Sequence, residues 1–375
     1  MRIINNLKKN WPNYLLLVIS VIITLILAEL SLRWLLKNPH RSPNKTLHVT
    51  NYEFQYTTTL NSFGFRDSEF SKEKAENTFR IFLIGDSFVY SPGVPDEKKL
   101  DRLLEDKLNQ TGGRKFEVYN LGLPGGTYNY VQTAKEFVSY QPDLIILSIY
   151  VDNDINRFNI DKVILLELHE VWFLAKGNIS DYFTKIKGKL NSTTPQPTNN
   201  ESTASSSASI LNNNQQTSPD FYRQLAQEKV INTFLFERAK AGDNQQFYDK
   251  LANKFKYFPA TKSNILKVKK TYDDLPFVLL INPSKYQIST SSFAELRKMG
   301  FIFNEDKIID RHVQDEIINW AEKKNITYVD PLPAMLENTN QPYFYLIDDH
   351  YNENGDKLVA EKLYDTLINE GLINN

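Results

Sequence analysis

Arg80-Ile-Phe-Leu-Ile-Gly-Asp-Ser-Phe-Val89 decides the reading of this chain, because an apolar run ends abruptly in Gly85-Asp86-Ser87. Ile81, Phe82, Leu83 and Ile84 show no polar alternation, as expected of a strand buried on both faces of a parallel sheet. Gly85 permits the sharp exit that carries the next side chains to the sheet's carboxyl edge. In open α/β sheets ligands bind at that edge, so Ser87 stands where a nucleophile would sit. The plainer reading of Asp86-Ser87 is a turn and a helix cap, which such pairs commonly supply.

Three later segments add the other parts of an acyl-transfer site. A second strand-like run, Phe116 to Tyr119, leads into Asn120-Leu-Gly-Leu-Pro-Gly-Gly-Thr127, a glycine-rich loop whose exposed N–H groups can hold an oxyanion. A third run, Leu144 to Tyr150, leads into Val151-Asp-Asn-Asp154, which brings the Asn153 amide to the same edge. Near the C-terminus, Asp348-Asp-His-Tyr-Asn-Glu-Asn-Gly355 precedes a helix-like stretch from Lys357 to Ile368. It supplies a base, His350, and two candidate carboxylates to orient it, Asp348 and Asp349. A serine hydroxyl is a poor nucleophile until an imidazole takes its proton, and a carboxylate on the other ring nitrogen fixes the tautomer.

With these four blocks in this order the chain resembles the SGNH, or GDSL-type, hydrolase superfamily, in particular its bacterial membrane-anchored members, over about 270 residues with a long gap. Gly85-Asp86-Ser87-Phe88 matches the first block, and Pro92-Gly93-Val94 and Leu60-Asn-Ser-Phe-Gly-Phe-Arg-Asp67 are similar to the anchored members. The resemblance implies a flavodoxin-like three-layer α/β sandwich around a central parallel sheet. It also implies Ser87 as nucleophile and an oxyanion hole formed by the Ser87 N–H, the Gly125 N–H and the Asn153 side chain, with Gly122 the alternative glycine. Two positions depart from the pattern: Val151 stands where the third block usually begins with glycine, and Ile347 where many members carry the triad Asp. Asp348, His350, Asn352 and Gly355 match the Asp-x-His-x-Asn-x-x-Gly form of the anchored members, which implies Asp348 as the triad acid with Asp349 as the fallback.

The other histidines, His40, His48, His169 and His312, read as surface or packing residues. Without cysteine and without a histidine pair at ligand spacing, no zinc site is indicated; no metal and no organic cofactor is expected. The 44 Lys and Arg nearly balance the 45 Asp and Glu, which gives no electrostatic reason to expect a nucleic-acid partner.

Tyr14 to Ala28 is apolar apart from Ser20 and Thr24, and continues through the Glu29–Arg33 pair to Leu36. It reads as an uncleaved membrane helix, since Ala28-Glu29-Leu30 is not the small-x-small pattern of a cleavage site. Basic residues flank it on both sides and leave orientation open; the resemblance implies an extracytoplasmic hydrolase domain. The expected organisation is an anchor and linker over 1–45 and a hydrolase domain over 46–375. That domain carries an insertion at about 157–262, within which the Ser-, Asn- and Thr-rich stretch 191–220 lacks the apolar residues to order itself. Phe277 to Asn282 and Thr327 to Asp330 are the remaining strands, with helix-like Ser291 to Met299 and Val313 to Lys324 between them.

The function implied is hydrolysis or transfer of an O-acyl group, an acetyl group in the first instance, on cell-surface carbohydrate. The alternatives are a lipid esterase or thioesterase, and a catalytically silent partner of an envelope polysaccharide machinery.

Overall fold

The computed structural model describes residues 41–151, 153–156, 258–273, 275–288 and 311–373, with scattered positions from Trp11 to Leu27; the side chains of Asn153, Asn156 and Tyr286 are not described. The chain divides into two units, Met1–Arg41 with Lys162–Thr194, and Ser42–Asp161 with Pro195–Asn375. The expected helix-like stretch 291–299 and nearly all of the expected insertion lie outside the described residues.

The larger unit opens with an antiparallel hairpin, β1 (Thr46–Thr50) and β2 (Gln55–Thr59), that the sequence reading did not anticipate. The core strands follow as β3 (Thr78–Gly85), β4 (Lys115–Gly122), β5 (Leu144–Tyr150), β6 (Phe277–Asn282) and β7 (Thr327–Val329). All pair in parallel, in the order β4-β3-β5-β6-β7. Counted along the sheet this is 2-1-3-4-5, the flavodoxin-like order, whose reversal lies at β3. The sequence of β3 thus leads to the topological switch point, where the carboxyl edges of neighbouring strands open a crevice.

Helices α1 (Ser87–Tyr90), α2 (Leu100–Asn109), α3 (Thr127–Phe137), α4 (Asn153–Asn156), α5 (Phe258–Thr271), α6 (His312–Glu322), α7 (Leu332–Glu337) and α8 (Glu353–Asn369), with short 3-10 turns at Asp96–Lys98, Val138–Tyr140 and Lys285–Gln287, complete the described elements of the larger unit. Strand periodicity divides the apolar residues between two layers. Phe82 and Ile84 of β3, with Ile145, Leu147 and Ile149 of β5, pack against Val131 and Ala134 of α3, Ile265 of α5 and Ile317 of α6. Ile81, Leu83, Leu144 and Ile146 face the other way, against Leu104 and Leu108 of α2 and Val359 and Leu363 of α8. The result is a three-layer α/β sandwich.

The end of the expected insertion needs correcting. Residues 258–262 open α5, whose Phe258, Thr261, Asn264, Ile265 and Val268 are buried, so this stretch belongs to the core layer. The Lys262 to Lys270 lysines occupy only the outer face of that helix, because aliphatic and polar buried positions alternate with them at helical spacing. Among the described residues no helix is long and apolar enough to cross a membrane. The expected anchor, 14–36, falls largely outside those residues; Leu15, Leu16, Leu17, Ile19, Val21, Ile23 and Leu27 are helical and exposed.

Candidate active site

Gly85 ends β3 beneath α1. A side chain there would bring a Cβ to 2.6 Å from Val89 Cγ2 and 2.9 Å from Ser148 Cβ, so only glycine lets α1 sit down on the sheet edge. Asp86 caps α1, its Oδ1 accepting the Phe88 N–H at 2.9 Å, and this leaves Ser87 as the first helical residue. The aspartate is thus the helix cap that the plainer reading expected, and the serine that follows is left with its hydroxyl unused by the cap.

His350 meets that hydroxyl. Its Nε2 lies 2.7 Å from Ser87 Oγ, and its Nδ1 lies 2.5 Å from Asp348 Oδ1, which also accepts the His350 backbone N–H at 3.0 Å. Burial disfavours charge on Asp348, but His350, its ring and backbone N–H groups and Lys285 together hold the carboxyl below its ordinary range. Burial likewise opposes an imidazolium at His350, yet the Asp348 carboxylate, with Asp86 and Asp349 behind it, raises its pKa above 6.5. Phe88 packs on the imidazole with ring centres 5.4 Å apart, while the histidine side chain keeps one fifth of its surface open. Such a chain of hydroxyl, imidazole and carboxylate can deprotonate the serine as it attacks an acyl carbon.

The rest of the last block supports this loop. Asn352 caps α8, its Oδ1 accepting from Asn354 N at 2.9 Å and Gly355 N at 3.2 Å, while its Nδ2 donates to Pro342 and Phe344 carbonyls. Gly355 is required by close approach, because a Cβ there would lie 2.2 Å from the Tyr343 carbonyl oxygen. Tyr351 donates to Asn282 Oδ1 at 3.3 Å, tying the loop to the end of β6.

Of the expected oxyanion groups, the alternative glycine is spoken for. Gly122 N–H donates to Asn120 Oδ1 at 3.0 Å, so it is not available to a substrate. Gly125 lies just before α3, and a Cβ on it would meet the Asn129 Nδ2 at 2.0 Å. Its missing side chain thus lets a second amide, not singled out in the sequence, come close to that backbone. Asn153 is the first residue of α4, directly beyond β5; its side chain lies outside the described atoms. Asp154 anchors this helix, accepting from Tyr130 hydroxyl and from Tyr150 N at 2.9 Å.

No family model matches the chain, and no curated protein matches it. Solved structures do. The chain is similar to a protein described as lipolytic and of the G-D-S-L family from Desulfitobacterium hafniense DCB-2, at 12% identity and TM-score 0.36, covering 77% of this chain and 99% of that one. It is similar also to the lipase/acylhydrolase from Enterococcus faecalis, at 12% identity and TM-score 0.38, covering 78% of this chain and 96% of that one.

Two residues that shape the site lie inside the sequence blocks without a role having been read for them from the sequence. Arg66, 1% exposed, donates to the carbonyls of Tyr90, Ser91 and Val94, and pairs with Asp96 at 2.8 Å. Ser91 ends α1 at φ 53°, a left-handed conformation that L residues adopt at a cost, and Arg66 holds its carbonyl in that place. Asn120 donates to Val89 O and to Asp101 Oδ1, both at 2.7 Å, and so ties α1 to β4 and α2. Among the described residues there is no cluster of three or more His, Asp or Glu that could hold a metal ion.

Proposed function

We propose that this protein is a serine ester hydrolase of the SGNH, GDSL type. The observation that carries the reading is the relay in which His350 reaches Ser87 Oγ through one ring nitrogen and Asp348 through the other. Ser87 attacks the acyl carbon while His350 Nε2 takes its proton; Asp348 stabilises the resulting imidazolium. The former carbonyl oxygen gathers negative charge, which the Ser87 and Gly125 N–H groups and the Asn153 amide neutralise; losing one such donor costs roughly 3 kcal/mol in comparable sites. His350 then protonates the leaving alcohol, and water, or an acceptor hydroxyl in a transferase, releases the acyl group from Ser87 by the same steps in reverse.

The substrate class we infer is a short O-acyl ester, acetyl first, on cell-surface carbohydrate. It is supported by the apolar run at 14–28, which would tether the domain beside an envelope polysaccharide. The test is labelling with a fluorophosphonate followed by peptide mass spectrometry. Label on Ser87, lost in Ser87→Ala, is the expected result; equal labelling of Ser87→Ala would refute the reading. A panel of acetylated sugars and long-chain acyl esters then ranks the substrate classes.

A further inference from the structure

The loop that carries Asp348 and His350 is gripped by two charges of opposite sign, a half-buried Glu53 and a buried Lys285. Glu53, at the tip of the β1–β2 hairpin, accepts three consecutive backbone N–H groups: Leu346 at 2.5 Å, Ile347 at 2.8 Å and Asp348 at 2.6 Å. Lys285, 1% exposed and just past the end of β6, donates to the carbonyls of the same three residues, at 3.2, 2.9 and 3.2 Å. Each peptide group of 346–348 is thus tied both to the hairpin and to the sheet. Packing holds the segment only in part: Ile347 is buried, but Leu346 is half exposed and borders a cavity of about 470 Å³ lined by Glu53, Lys285, Ile288 and 339–346.

Glu53 is itself held in place. Asn51 Oδ1 accepts the Glu53 N–H at 2.7 Å and closes the hairpin turn, and Phe54 packs on Tyr345 with ring centres 4.7 Å apart. Gly93 completes the contact, since a Cβ there would lie 2.6 Å from both the Phe54 ring and the Tyr345 hydroxyl. We propose that Glu53 is a positioning residue for the hydrolytic site: with Lys285 opposite it, it fixes 346–348 and thereby sets Asp348 and His350 against Ser87. A carboxylate in a row of backbone N–H groups is a strong acceptor, and a buried amide left without one costs about 1–3 kcal/mol. The consequence for chemistry exceeds the consequence for folding, because a misplacement of about 1 Å in a reacting group can cost about 100-fold in rate.

The kinetic arm of the test rests on the proposed hydrolase activity; the spectroscopic arm does not. Full-length wild type, Glu53→Gln and Glu53→Ala are compared, with Glu69→Gln as control, since Glu69 likewise accepts an N–H but on an exposed turn away from this loop. On a short acyl ester, Glu53→Ala should lose about 100-fold in kcat with KM within about threefold, and Glu53→Gln, which keeps one acceptor oxygen, should fall between it and wild type. NMR titration of the His350 imidazole is the second readout. The groups facing that ring are Asp348 and Asp349 on its own loop and Asp86 beyond β3, with Lys285 from the β6 edge and Glu53 from the hairpin behind them. Once Asp348 is loosened, the raised His350 pKa should fall toward about 6.5 in Glu53→Ala. An unchanged kcat with an unchanged His350 titration would overturn the proposal. If wild type hydrolyses no ester, the hydrolase reading fails and the titration alone decides the positioning role. If Glu53→Ala does not fold, Glu53→Gln and Lys285→Met carry both readouts.

Discussion

Lys285 engages Asp349, its Nζ lying 3.1 Å from the carboxylate Oδ1, and Asp348 is thereby the carboxylate bound to the His350 ring. The two adjacent aspartates could not be told apart from the sequence by chemistry alone. Their side chains leave the loop in different directions, one toward the imidazole and one toward the lysine past β6. Asp348→Asn should therefore lower kcat by roughly 10³–10⁴-fold, the loss expected when a triad carboxylate is neutralised and the imidazole tautomer is no longer fixed. Asp349→Asn, which removes one partner of Lys285, should cost under about tenfold by comparison. Steady-state kinetics on one ester decides it; similar losses in the two variants would contradict the assignment.

The pH dependence follows from the sign of the His350 shift. In the proposed mechanism the free imidazole is the base, and the neighbouring Asp348 carboxylate raises its pKa above 6.5 despite burial. The acidic limb of kcat/KM should accordingly lie above pH 6.5, with activity falling about tenfold per pH unit below it. In Asp348→Asn the limb should move to lower pH, because burial then acts on the imidazolium without its counter-ion. A limb below pH 6 in wild type would show that the relay is not the titrating group.

A second titration bears on stability rather than rate. Asp356, in the first turn of α8, is buried, with the Ser91 hydroxyl beside its carboxyl and Oδ2 accepting a long bond from Leu100 N at 3.3 Å. Burial, with Asp101 nearby, pushes its carboxyl up to about 7. A folded pKa above the unfolded value of about 3.9 means that the folded chain keeps the proton longer. The contribution is fully present below about pH 4 and is lost as pH rises toward 7, by at most a few kcal/mol. Asp356→Asn does not titrate, so its Tm should exceed that of wild type at pH 8, with the gap closing toward pH 4. A Tm difference that is constant across this range would refute the assignment.

What the sequence revealed depended on whether each residue's role was local. β5 and β6 occupy Leu144–Tyr150 and Phe277–Asn282 as expected, because central parallel strands are apolar on both faces and need no partner to be recognised. β4 was expected to end at Tyr119 and instead runs on to Gly122: Asn120 looks like a strand-breaking polar residue until Asp101 and the Val89 carbonyl are seen to satisfy it. The β1–β2 hairpin escaped because Thr-rich strands exposed on one face carry little apolar pattern. Its one decisive residue, Glu53, contacts a loop nearly three hundred positions later. Ser87, His350 and Asp348 were legible because their spacing within short blocks is itself the signal; Glu53, Lys285 and Arg66 act across the fold, and only the folded chain brings them to their partners.

Location and chemistry should separate when the chain is cut. Every residue of the relay and of the Glu53–Lys285 grip lies in Ser42–Asp161 or Pro195–Asn375, and the hairpin is closed by Asn44 N donating to Asn61 O at 3.1 Å. A chain beginning at Ser42 should thus keep that closure, stay in solution and hydrolyse short acetyl esters at the full-length rate, while the full chain should partition with membranes through its apolar run at 14–28. Carbonate-resistant sedimentation of the full chain, and its absence in the shortened one, checks the first half. A C-terminal fusion reports orientation: phosphatase activity, which needs export, is expected, and bright cytoplasmic fluorescence of a green fluorescent fusion would contradict it. A shortened chain that folds, with the Tm of the intact protein, yet has lost ester hydrolysis would mean that residues before Ser42 complete the site.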